Sequence, residues 1–343
     1  MSSFQDGPFS SLFKPITLQS KVKLPALSDS DLTEAMATSV ESAPFGNFVG
    51  WGIPFEIGEM IILADEAVSI EIDPTTARWL IFMHTSDLRD IDTNDSGFFS
   101  PMRGQGQLAE HAANYVIRYA DGHEVSVPIQ RRFQIGSFQR RWGENCFEAV
   151  AHQKPRPTLP PHEQLSEGWG WRQTRVDVAD SMPWINWMWA WENPHPEKEI
   201  TRLRFEPTSG VVIVSAVSAG DCASQPLRWV ARRKACLSLP EGIAFENKLD
   251  EQGLTQHIQL DLGQVISVKP RTLYPNDHWA GSYNNQNPEK SENELLIEYT
   301  AHPEAPGRPT YPDPKSGRQN QCFAAGEPSN PTRHPASGGA GQL

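Results

Sequence analysis

Cysteine is scarce. The 343-residue chain has only Cys146, Cys222, Cys236 and Cys322, and no two of them form a C-x-x-C pair. That spacing excludes a disulfide framework and a zinc ribbon. It fits a reducing compartment, so a cytoplasmic location is expected. Long apolar runs are also missing. The longest, from Gly210 to Gly220, is about half the roughly 20 residues that a helix needs to cross a bilayer. Met1 to Lys14 has no basic start leading into an apolar run, so no signal peptide is expected. Positive charge is in deficit, with 30 Lys+Arg against 42 Asp+Glu and a net charge of −12. An acidic chain argues against nucleic acid or an anionic membrane as partner.

Motifs with a mechanism behind them are few. The ten histidines include no H-x-H and no H-E-x-x-H, and there is no P-loop and no G-x-S-x-G elbow. Gly104-Gln-Gly-Gln-Leu-Ala109 spells a dinucleotide fingerprint. That motif works only between a strand and a helix. Here Ser100-Pro101 precedes it and a β hairpin soon follows, so it reads as a turn. No catalytic residue is assigned. An enzyme remains the alternative, a hydrolase whose acids or metal ligands converge only in the fold.

What the chain does have is β texture. Its apolar share of 38% is enough for a sizeable core. The length fits about two domains at roughly 150 residues each, or one large β domain. Met60–Leu63 is a short apolar run, Val68–Ile72 alternates with period two, and Arg78–His84 is aromatic and β-branched. These are strand signals. Tyr115–Tyr119 and Glu124–Ile129 flank Asp121-Gly122, a hairpin with a loop slightly longer than two residues. Further strands are expected at Trp187–Trp191, Ile200–Phe205 and Val211–Val217, then at Ala235–Pro240, Gln256–Leu262, Val265–Val268 and Glu294–Tyr299.

The expected organisation has four parts. Residues 1–44 form a poorly ordered lead-in with one short helix, capped by Asp31. Residues 45–220 form an antiparallel β-sandwich, and 221–305 a second, smaller β region with a long loop at Tyr274–Ser291. The tail, 306–343, has 13 Pro or Gly among its 38 residues and reads as disordered.

Two residue groups are candidate sites. Asp87, Asp90, Asp92 and Asp95 crowd one loop beside Asn94 and Ser96. Hard cations want several oxygens from one flexible loop, so Asp90, Asp92 and Asp95 are candidate ligands for a structural calcium. A solvated acidic turn explains the same residues. The tryptophans are the other group. In a strand, Trp187, Trp189 and Trp191 share one face. An aromatic row either stacks on the apolar faces of sugars or fills the space between two sheets. Trp169 and Trp171, in a Gly-rich segment, are the better candidates for an exposed platform. The candidate binding set is therefore Trp169, Trp171, Trp187 and Trp189.

Phe45–Gly58 (FGNFVGWGIPFEIG), the strand ending Phe82-Met-His-Thr85, the Tyr115–Ile129 hairpin, Trp191-Glu-Asn-Pro-His-Pro-Glu-Lys-Glu-Ile200 and Val211–Val217 together resemble the galactose-binding-like β-sandwich, a jelly roll. The resemblance covers about residues 45–220. It implies a non-catalytic module attached to enzymes that act on carbohydrates or other small substrates. Leu260–Ile266, Pro270-Arg271, Tyr274–Asp277, Tyr283–Gln286 and Glu298–Pro303 are similar to the amino-terminal region of carbaryl-hydrolase-like metallohydrolases. Their catalytic PHP-type domain lies further along the chain. That resemblance implies a divalent-metal centre in the later domain. Here the Pro/Gly-rich tail follows instead, so no catalytic residue carries over. The expected function is a ligand-binding or accessory module for a small molecule or carbohydrate. It is expected to correspond to the amino-terminal, non-catalytic part of a larger metal-dependent hydrolase, either as a truncated copy or as a sandwich pair kept as a stand-alone module. Docking to a separate hydrolase catalytic domain is a further alternative.

Overall fold

Period-two alternation decides most of the architecture, because each strand offers one face to each of two layers. The computed structural model describes residues 5–18, 32–90, 93–98, 104, 106–139, 145–155, 182–229, 232–239, 242, 258, 260–273, 290–305, 310–312 and 319–321. These residues form a mainly β, antiparallel sandwich. The strands are β1 (Phe13–Ile16), β2 (Gly46–Gly50), β3 (Ile53–Ile57), β4 (Ile61–Leu63), β5 (Val68–Thr75), β6 (Trp79–Ser86), β7 (His111–Tyr119), β8 (Glu124–Gln130), β9 (Val150–Ala151), β10 (Trp187–Glu192), β11 (Ile200–Pro207), β12 (Val212–Gly220), β13 (Arg233–Ser238), β14 (Gly263–Thr272), β15 (Lys290–Ala301), β16 (Thr310–Pro312) and β17 (Gln319–Gln321).

A six-stranded sheet runs β1-β12-β6-β10-β9, with β4 also paired to β12. Facing it is a four-stranded sheet, β5-β11-β7-β8. Between them lies the main core, where Leu80, Phe82, Val214 and Trp189 meet Ile70, Tyr115, Ile117, Leu203 and Phe205. The far face of the six-stranded sheet is covered as well. Trp79, Ile81, Met83 and Met188 pack there against Phe48, Ile53 and Phe55 of the β2–β3 hairpin, Met36 and Leu262. Because β6 is buried on both faces, it reads as a continuous apolar run rather than an alternating one. The outer face of the four-stranded sheet carries cross-strand ion pairs instead, Arg202 with Glu71 and Arg204 with Glu124.

A smaller sheet, β13-β15-β14, has its own core of Leu237, Leu260, Val265, Leu295 and Ile297. Its seat on the sandwich requires Gly52. That residue has φ +78°, and a Cβ there would fall 2.0 Å from the Asp261 carbonyl oxygen. Among the described residues no helix is long and apolar enough to cross a membrane.

Several expectations are corrected. The lead-in is not structureless throughout, since β1 pairs with β12 from Phe13↔Gly220 to Ile16↔Val217. The helix spans Glu34–Ser39 and its cap is Thr33, whose side chain accepts from the Met36 N–H. Asp31 lies outside the described residues. Of Gln256–Leu262, the described residues are not in a strand; β14 begins at Gly263. Most of the tail lies outside the described residues, but β16 and β17 pair there as a short hairpin. The Asp121-Gly122 turn is as expected, with four residues between β7 and β8 and Gly122 at φ 86°. Gly104 and residues 106–109 are turns rather than the mouth of a helix.

Candidate functional site

Four connections meet at one end of the sandwich: residues 76–78 between β5 and β6, 120–123 between β7 and β8, 193–199 between β10 and β11, and Asp221 after β12. Asn193 organises this rim. Its buried amide donates to the carbonyls of Ala77 (2.8 Å) and His195 (3.1 Å). Its Oδ1 accepts from the Tyr119 hydroxyl (2.5 Å) and the His195 N–H (2.9 Å). One short side chain thus ties three connections together. The Asp221 carboxylate adds the fourth by accepting from the Arg78 N–H at 3.1 Å.

Three rings pack above this frame. His123 stacks on Tyr119 with centroids 5.8 Å apart, and His195 meets both edge-on, at 5.6 Å and 5.2 Å. Lys198 Nζ lies 5.7 Å over the Tyr119 ring and 2.7 Å from Asp121. The hydrogen bond from Lys198, with the His123 N–H behind it, holds the Asp121 carboxyl below its usual range. Burial, with Glu197 and Asp121 nearby, pushes the Tyr119 phenol up to about 12. It therefore stays protonated and serves as a donor. Beside the rings opens a depression of about 560 Å³, lined by Arg78, Glu192, Asn193, Pro194 and Pro196. Arg78 and Glu192 stand 3.6 Å apart and are 43% and 58% exposed. Such a pair is held weakly. Its donors and acceptors are free to turn toward a neutral polar guest.

The residues singled out from sequence lie elsewhere. Trp187 and Trp189 are only 2% and 5% exposed, so neither presents a ring face to a sugar. Trp189 stacks on Phe82 at 5.7 Å, and the Trp187 indole N–H donates to the Ser137 carbonyl at 2.9 Å. The row fills the space between the sheets, which corrects its assignment as a binding surface. Trp169 and Trp171 lie outside the described residues. Asp90 and Asp95 are exposed, and Asp92 lies outside the described residues. Among the described residues no three His, Cys, Asp or Glu side chains are placed to hold a metal. Asp87, in the same acidic run, is buried and grips the helix cap.

A second cluster has the residue types of a nucleophile triad. Ser224 Oγ is 3.0 Å from His302 Nε2, with Glu304 and Cys222 close by. The hydrogen bonds run the wrong way for catalysis. The Glu304 backbone N–H donates to His302 Nδ1 at 3.1 Å, so a neutral His302 carries its proton on Nε2. It then donates toward Ser224 and cannot act as base for the hydroxyl. The Glu304 carboxylate accepts from the Ala223 N–H rather than orienting the imidazole. Burial pushes the Cys222 thiol up to about 12, which leaves it unreactive.

Sequence reasoning did not single out the rim as a site. The available signal was Asn193 at the head of Pro194-His195-Pro196, a polar residue followed by a stiff turn. No family model matches this chain, and no curated protein matches it.

Proposed function

We propose that the chain is a ligand-binding β-sandwich module, accessory to a larger metal-dependent hydrolase, and that the rim is its binding surface. The observation that carries this is the Asn193 frame. It holds Arg78 and Glu192 around an open depression, next to the exposed His123 ring and the apolar faces of Pro194 and Pro196. A guanidinium and a carboxylate side by side offer donors and acceptors to vicinal hydroxyls, while proline and imidazole faces suit the C–H face of a sugar. The ligand class is therefore a carbohydrate or another small polyol. The accessory role rests on the resemblance of residues 45–220 to the galactose-binding-like sandwich, and of 260–303 to the front of carbaryl-hydrolase-like enzymes. A two-layer antiparallel sandwich is compatible with both.

Saturation-transfer NMR against a panel of mono- and oligosaccharides tests the reading. The expected result is binding that Arg78→Ala and Glu192→Ala each weaken about tenfold, the loss of one polar contact of about 1.4 kcal/mol. Binding that survives both changes but disappears in Trp169→Ala or Trp171→Ala would move the site to that segment. Turnover of any sugar, ester or carbamate by the chain alone would favour the hydrolase alternative.

A further inference from the structure

Asp6 and Lys154 form an ion pair sealed from solvent, with side chains 2% and 4% exposed and Nζ 3.8 Å from Oδ1. Burial drives the Asp6 carboxyl up and the Lys154 ammonium down. The charges are therefore held against a desolvation cost, with little gain to expect from the pair alone. Their placement explains what they achieve. Both Asp6 oxygens accept from the Trp51 N–H, at 2.8 and 2.9 Å, in the β2–β3 turn. One also accepts from the Lys154 N–H at 3.3 Å. Lys154 Nζ then reaches away from the sandwich to the carbonyls of Leu260 (3.1 Å) and Asp261 (3.3 Å), at the entrance to β14.

The segment around Asp6 is laid in place on both sides. The Asp6 N–H donates to the Val49 carbonyl at 3.0 Å, and the Ser10 N–H to Gly52 at 2.8 Å. A Cβ at Gly7 would stand 3.1 Å from the Leu260 carbonyl oxygen. Residues 5–10 thus run between the β2–β3 turn and the start of the three-stranded unit, with Lys154 as the bridge. Trp229 closes the arrangement, 5.9 Å from Nζ and 5.0 Å from Trp51.

We infer that residues 5–10 are a strap that couples the seating of the three-stranded unit to the sandwich. Asp6 fixes the Lys154 ammonium, and the ammonium fixes the carbonyls of Leu260 and Asp261. Removing Asp6 leaves the buried ammonium with only the Asp261 charge to offset its burial and releases the β14–β15 unit, although Asp6 makes no hydrogen bond to that unit.

Hydrogen exchange on the full chain tests this with Asp6→Asn, Lys154→Met and the double variant. Each single change is expected to speed exchange in 263–272 and 290–301 at least tenfold, leaving β6 and β12 within about twofold. The double variant should exchange more slowly than the worse single, because neither buried charge of the pair remains. Faster exchange confined to 5–10 and 50–52 would overturn the coupling, as would an increase spread evenly over β6 and β12. The unaltered chain supplies a check that needs no variant. In low urea, the amides of 5–10 and of 290–301 should share one opening step, and two separate steps would overturn the inference.

Discussion

The Asp87 carboxylate holds Thr33 by two 2.7 Å hydrogen bonds, one from the Thr33 N–H and one from its hydroxyl, across 54 positions of sequence. Thr33 in turn caps the short helix that buries Met36. An isolated helix of six residues would not persist in water, so the carboxylate in the strand-end loop is what positions it. Asp87→Ala should lower the unfolding free energy by about 1–3 kcal/mol, as a half-buried N–H and hydroxyl lose their partner. Urea denaturation measures this. Calcium and chelator should leave the melting temperature of the unaltered chain unchanged. A rise of several degrees with calcium would instead put an ion on the acidic loop.

The central aromatic stack predicts a purely structural cost. Trp189→Ala should destabilise by about 3–5 kcal/mol, the usual range for emptying a buried aromatic site. Gly136 makes a companion test, because a Cβ there would lie 2.4 Å from the Trp187 ring. Gly136→Ala should cost about 1–3 kcal/mol through overpacking. Calorimetric unfolding of both variants checks the pair. An unchanged melting temperature for Trp189→Ala would mean that the ring is not in the core.

Two buried histidines set a pH dependence. Burial lowers both His84 and His152 from 6.5 to about 4, against a smaller opposing contribution from backbone hydrogen bonds. For His84 the neutral form is fixed by its partners: Nε2 faces the Gln134 carbonyl at 2.9 Å and donates, while Nδ1 accepts from the Tyr115 hydroxyl at 2.7 Å. Between pH 6.5 and about 4 the unfolded chain takes up protons that the folded chain refuses. Stability from these groups is therefore complete above pH 6.5 and declines as the pH falls toward 4. The loss approaches about 3 kcal/mol per histidine, at 1.36 kcal/mol for each pH unit. Urea midpoints at pH 7.5, 5.5 and 4.5 should show this decline, and His84→Gln should remove about half of it, the His152 share remaining. A stability independent of pH over that interval would contradict the buried neutral state.

The Ser224–His302 pair predicts an inert hydroxyl. A fluorophosphonate probe should leave Ser224 unlabelled, as read by peptide mass spectrometry. Labelling that Ser224→Ala abolishes would show that His302 accepts from the hydroxyl after all.

Much of the fold can be read from the residues. The β7–β8 hairpin follows from Asp121-Gly122, and β6, β11, β12 and β15 from their apolar patterns. The Trp187, Trp189, Trp191 row does face one side, as alternation requires. Alternation fails in β12, where a bulge between Val214 and Ala216 shifts the pairing with β6. Val212 and Val214 face the central core before it, Val217 and Ala219 after it. The four-residue β1 carries no pattern of its own and exists because the edge of β12 accepts it. The rim was legible only in fragments, since Asn193 lies 74 positions from Tyr119 and the β7–β8 turn that carries His123.

The order of side chains along the chain determined strand, turn and face, because those depend on neighbours one to four positions away. It also determined that the chemistry of cysteine pairs, phosphate loops and clustered histidines is not written in local motifs. Only the tertiary structure decided that the tryptophan row faces a second sheet rather than water, that Asp87 holds a helix cap, and that Asp6 and Lys154 meet in the interior. The reason is physical: burial and the partner of a charge are properties of the space around a side chain, and in an antiparallel sandwich that space is filled by segments far along the chain, 54 positions for Asp87 and Thr33 and 148 for Asp6 and Lys154.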